Sequence, residues 1–164
     1  MLVEKHPILF HLMVALTIVF ALFVTIFPKP WVLSSVQPEL VCLLVIYWIF
    51  SVPQHLGLSF AVLVGFVQDI IEQSVLGGHS IALAVTAYIC LTSYQRFISY
   101  SIWHQTLWIF VLVGVHQVIA TWMTGLFGYR TDIFALLLPV VVTGLLWPIL
   151  TLAMRTLRYR LGVM

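Results

Sequence analysis

The feature that most constrains this chain is a succession of apolar runs, each near the length that crosses a lipid bilayer, broken only by Pro, Gly and a few polar residues. The first, residues 8–27, contains no Asp, Glu, Lys or Arg. Across 164 residues, 63% are hydrophobic and 7% charged, against roughly 25% charged in an average soluble domain. A soluble globular protein is excluded. A span needs about 20 apolar residues, so the length holds five or six spans and no separate soluble domain, and residues 1–164 are expected to form one transmembrane bundle. Unpaired backbone groups in lipid permit only helices or closed barrels. A barrel would alternate polar and apolar residues, and these runs do not.

Breaks in the apolar pattern predict an all-α, six-span protein with helices over residues 8–27, 39–52, 56–72, 79–94, 102–123 and 132–154. Pro38 suits a helix start and Pro53 an end, while the Gly77-Gly78 pair interrupts a helix. The first run is too long for a signal-peptide core and ends in Pro28-Lys29-Pro30-Trp31, not a small-residue cleavage site, so it is expected to be a retained helix. Cys42 and Cys90 sit alone in apolar runs and read as small buried hydrophobes. The seven Lys and Arg exceed the five Asp and Glu by only two, too little basic surface for nucleic acid.

An even number of spans puts both termini on one side, and the positive-inside rule then chooses the side. Lys5, Arg96, Arg155, Arg158 and Arg160 fall with the termini, and Lys29 and Arg130 fall opposite. Cytoplasmic termini are therefore expected. Trp31, Trp103 and Tyr129 lie near predicted helix ends, where amphipathic rings favour the headgroup layer. Arg155, Arg158 and Arg160, placed just after the sixth helix, read as a topology anchor or as a contact for anionic lipid or an acidic partner. His55 and Arg96 mark the two cytoplasmic turns.

Asp69 is the polar residue that most needs explaining, because an acid within a span is costly and faces protein or water, not lipid. Gly57, Ala61, Gly65 and Asp69 recur every fourth residue and Glu72 follows three later, forming one stripe on the third helix. Small residues at that spacing let helices approach closely. Thirteen residues at about 1.5 Å each raise Asp69 roughly 20 Å from Leu56, toward the outer face. Two readings stand: a polar pocket or partner contact, or a carboxylate that caps the Gly77-Gly78 turn or pairs inside the bundle. Nothing nearby supplies a nucleophile with its base and orienting group, and no cofactor or metal site is expected. His104 and His116 lie about 18 Å apart along the fifth helix and roughly 120° out of phase, so they cannot share an ion. His116, deep in that helix, is expected to hydrogen-bond another helix. Glu39, after Pro38, offsets the positive end of a helix dipole. Gly144 and Pro148 flank Trp147, where a kink is expected.

The ordered set Pro38-Glu39-Leu40, Tyr47-Trp48, Gly65-x-x-x-Asp69, Leu76-Gly77-x-His79, Ala87-Tyr88, Gly144-Leu145-Leu146-Trp147-Pro148 and Met154-Arg155 resembles the MreD family of rod shape-determining proteins over nearly the whole chain. One departure is Gln73, where the family often has Gly four residues after the aspartate, so the turn there is expected to be built differently. The resemblance implies a non-enzymatic inner-membrane scaffold of the bacterial elongation machinery. It implies binding to MreC, indirect association with the filament protein MreB, the polymerase RodA and a transpeptidase, and an architecture like the substrate-binding subunits of energy-coupling-factor transporters. The rival reading is a small-molecule-binding subunit of a membrane transporter that uses Asp69 and Glu72 for recognition. An intramembrane enzyme is weaker still, since no HExxH, GxSxG or CxxC occurs.

Overall fold

The structure, a computed structural model, describes residues 7–27, 37–128 and 133–160. Lys5, Lys29, Trp31, Tyr129 and Arg130, which enter the topology argument, lie outside the described residues. Six α-helices occur among the described residues: α1 Pro7–Ile26, α2 Leu40–Ser51, α3 Leu58–Ile71, α4 Gly78–Ile98, α5 Ile102–Leu126 and α6 Ile133–Arg160. Four of them, α1, α4, α5 and α6, are long and apolar enough to cross a membrane. At about 1.5 Å per residue, the 12 residues of α2 and the 14 of α3 reach only about 18 and 21 Å.

The two short helices differ in what their apolarity serves. Every residue of α2 from Val41 to Phe50 is buried, none more than 7% exposed. A helix apolar all round is a core helix, and α2 packs against α1 and α4 and touches α5 and α6. α3 packs mainly on α4, which packs on α5, which packs on α6. One face of α3 is exposed, with Leu63 at 66% and Ile70 at 54%, while Ala61, Val64, Gly65, Gln68 and Asp69 on the other are buried.

Three helix ends extend past their expected limits. α4 continues to Ile98 because Phe97, only 3% exposed, stacks on Phe50 with ring centroids 3.7 Å apart, anchoring one more turn. Arg96 therefore lies in the last turn of α4, not in a loop. α6 runs to Arg160, so Arg155, Arg158 and Arg160 project from its final turns instead of following it. Buried Met154 holds this extension to the bundle, and cations suit the negative end of a helix. α5 reaches Leu126. α6 stays helical through both Pro139 and Pro148, and Trp147 beside Pro148 is a core residue in edge contact with Phe97, 5.8 Å between ring centroids. Both cysteines are free and buried.

A buried carboxylate at the turn between α3 and α4 is the candidate functional site

The turn that joins α3 to α4 is built from backbone conformations that few residues adopt. Gly77 occupies the N-cap of α4 with φ +93°, a left-handed conformation natural only to glycine. Gln73 also has positive φ, +53°. The left-handed position that a glycine would suit is thus kept, with a glutamine in it. Gly78 is the first helical residue.

This turn folds the N-terminus of α4 back over Asp69, which is fully buried. Asp69 Oδ2 accepts from the Gly77 backbone N–H at 2.9 Å. Oδ1 accepts from the His79 backbone N–H at 3.0 Å and from the Ser74 hydroxyl at 2.9 Å. His79 Nδ1 lies 2.8 Å from the same oxygen. The Ser80 N–H and hydroxyl make longer contacts to Oδ2, both 3.4 Å. A carboxylate beside the exposed N–H groups and positive dipole end of a helix is in its favoured place. One side chain from α3 thus caps α4 and closes the turn.

The remaining sequence candidates arrange around this cap unequally. A Cβ on Gly65 would lie 2.6 Å from Ser80 Cα and 2.8 Å from His79 O, so only glycine allows α3 and α4 to touch there. Ala61 is fully buried on the same face. Gly57 stands at the N-cap of α3 with no atom within 4 Å of where its Cβ would be. Glu72, the C-cap of α3, has its side chain 24% exposed; it accepts from Gln68 Nε2 at 2.8 Å and lies 3.7 Å from His79 Nε2. Gly65, Asp69 and Glu72 of the stripe therefore meet α4 of the same chain. Glu39 is the N-cap of α2 without a side-chain capping bond, and its backbone N–H donates to Thr143 Oγ1 at 2.8 Å.

His79 was given no role by sequence reasoning, yet it bridges both acids, Nδ1 toward Asp69 and Nε2 toward Glu72. The readable signal was its position directly after the Gly pair, where a tight turn must bring it back over the preceding helix. His116 departs from expectation. It is fully buried and its ring lies 6.0 Å from that of His79, but neither ring nitrogen has a hydrogen-bond partner among the described residues. The 25-residue α5 carries it to the right level beside α4 without bringing an acceptor with it.

Ser74, His79 and Asp69 do not make a nucleophilic triad. In such a triad the histidine turns one nitrogen to the nucleophile and the other to the acid. Here Ser74 and Asp69 both face Nδ1, at 3.3 and 2.8 Å, and the serine hydroxyl already donates to the carboxylate. Among the described residues no group of three or more His, Cys, Asp or Glu is placed to hold a metal ion.

The sequence model described as rod shape-determining protein MreD matches residues 5–157. The chain belongs to the MreD family. It is 28% identical over 133 residues to the rod shape-determining protein MreD of Haemophilus influenzae, covering 80% of this chain and 81% of that protein. No solved structure matches. Membership ties this membrane bundle to the determination of rod shape, and the Asp69 turn lies within the matched segment.

Proposed function

We propose that this MreD-family chain is a non-enzymatic scaffold of the bacterial inner membrane that binds MreC and helps couple cytoskeletal filaments to peptidoglycan synthesis. The family match over residues 5–157 carries the reading. The Asp69 geometry supports it: the carboxylate's contacts are to donors of the turn and of the first residues of α4, as a structural carboxylate requires and a recognition group for a ligand does not. In this reading all six helices span, the polar turns at the ends of α2 and α3 making up their short length, and both termini are cytoplasmic. Affinity purification of the full chain from rod-shaped cells should recover MreC, and depletion of the chain should round the cells. Rounding without any recovery of MreC, together with saturable uptake of a small solute that requires the chain, would transfer the reading to the transporter subunit.

A further inference from the structure

At the end of the bundle opposite Asp69, α2 and α4 finish, α5 begins and α6 runs on past both. The space between them is a pocket of about 190 Å³ whose wall includes Tyr47, Gln105, Trp147, Thr151, Arg155 and Arg158. Two arginines in one pocket would ordinarily be matched by acids. Among the described residues both ion pairs involve His79, at the far end, and neither arginine is within salt-bridge distance of a carboxylate. Arg158 has one long contact, Nη1 to the Tyr47 hydroxyl at 3.5 Å, and its Nε–H is buried with no partner. Trp147, 1% exposed, forms part of the same wall, and its indole Nε1–H also has no partner.

Cations at a helix C-terminus are explained by the dipole alone. That account covers Arg160, which is not part of the pocket wall, but it does not cover the partnerless Arg158 Nε–H and Trp147 Nε1–H of two residues that line the cavity. Buried donors without acceptors cost about 1–3 kcal/mol each, and an indole N–H can only donate. Whatever completes this site must be an acceptor, and two guanidinium groups favour an anion with several oxygens in fork geometry. Exposed Trp103 at the start of α5 and exposed Tyr159 near the end of α6, 77% and 76% accessible, are the aromatic pair expected at the headgroup level of a bilayer.

We infer that the pocket between α2, α4, α5 and α6 is a binding site for a phosphate group, held by Arg155, Arg158 and the Trp147 indole N–H. A lipid phosphodiester and free phosphate share that chemistry, and the site's level along the helices favours the lipid.

The test uses the full chain, purified in detergent and stripped of lipid, with native mass spectrometry for bound species and thermal unfolding for their effect. The probes are phosphatidylglycerol, inorganic phosphate and a glutamate-rich peptide. Wild type should bind phosphatidylglycerol and unfold at a higher temperature with it. The Arg155→Gln/Arg158→Gln variant should lose about tenfold in affinity for each arginine, while Arg160→Gln should bind as wild type does. Arg158→Lys keeps the charge but removes the Nε–H, so it should fall between these two and control for folding. Inorganic phosphate that binds and competes with the lipid would identify free phosphate as the ligand; lipid binding that phosphate does not displace would identify the headgroup. Equal lipid binding by wild type and the double variant overturns the site. So does equal loss in Arg160→Gln, or binding of the acidic peptide alone.

Discussion

At the scale of single residues, Asp69 ties the end of α3 to the start of α4 through four short polar contacts, so its substitutions should separate charge from shape. Asp69→Leu leaves the Gly77 and His79 N–H groups without their acceptor and removes the contacts of the Ser74 hydroxyl and the His79 ring to the carboxylate. A buried donor left unpaired costs about 1–3 kcal/mol and these are partly buried, so the combined loss should reach a few kcal/mol, seen as a low membrane level and a depressed unfolding temperature in detergent. Asp69→Asn retains one accepting oxygen and should be clearly milder. Equal loss of rod shape in both variants, at normal protein levels, would show that negative charge itself is required and would favour ligand binding. Gln73 offers the reverse test. A side chain in the left-handed region costs about 1 kcal/mol, partly offset by the greater unfolded-state freedom of glycine. Gln73→Gly should therefore raise stability by a few tenths to about 1 kcal/mol, measurable by denaturation of the purified chain. A fall in stability would mean that the glutamine side chain contributes more than its backbone costs.

At the scale of helices, the contact between α3 and α4 depends on one residue of the stripe. The atoms that a Cβ on Gly65 would strike are backbone atoms of His79 and Ser80, which cannot swing aside. These are also residues whose N–H groups Asp69 holds. Gly65→Ala should thus push α4 outward and loosen the cap, costing about 1–3 kcal/mol as overpacking does, and Gly65→Leu should cost more. Gly57→Ala, at an extended N-cap with open space around it, should stay within about 0.5 kcal/mol. Leu63→Ala, on the exposed face of α3, is the lipid-facing control. Detergent stability and recovery of MreC for the four variants give the comparison. Wild-type behaviour of Gly65→Leu in both would mean that α3 and α4 do not meet through this face.

At the scale of the whole molecule, the orientation follows from parity and from charge. Four long helices cross if α2 and α3 are left out, and six if they are counted; both numbers are even and return the termini to one side. In the proposed reading, the excess of Lys and Arg at that side, five against two, assigns it to the cytoplasm by the positive-inside rule. A periplasm-active reporter joined after Met164 should be inactive and a cytoplasm-active one active. Strong periplasmic activity from a stable fusion would remove this orientation. The high burial of α2 adds a second expectation at this scale: charged substitutions at Ile46 or Leu43, both fully buried, should abolish accumulation of the protein, whereas the same change at exposed Leu152 should act only through its contact with lipid.

Apolar run length and punctuation by themselves determined that the chain is helical, that it belongs in a membrane, and where its six helices fall, with starts within two residues and ends missed by up to six, because the bilayer leaves the backbone almost no other choice. They also marked Asp69, since an acid inside an apolar run always needs a partner. Run length could not tell a lipid-facing helix from a core helix, as both are apolar throughout. Only packing against four neighbours made α2 the centre of the bundle. Nor could spacing along the chain name the partners of Asp69. Those came from the Gln73 and Gly77 turn, which folds His79 back across ten residues of sequence. The stripe was visible in sequence, but which of its small residues is in contact was not. That depends on where α4 crosses α3, and the crossing falls at Gly65 and leaves Gly57 open. The arginines of α6 followed the same division: their sign was readable, but the pocket that gathers Arg155 and Arg158 and leaves out Arg160 exists only where four helices meet.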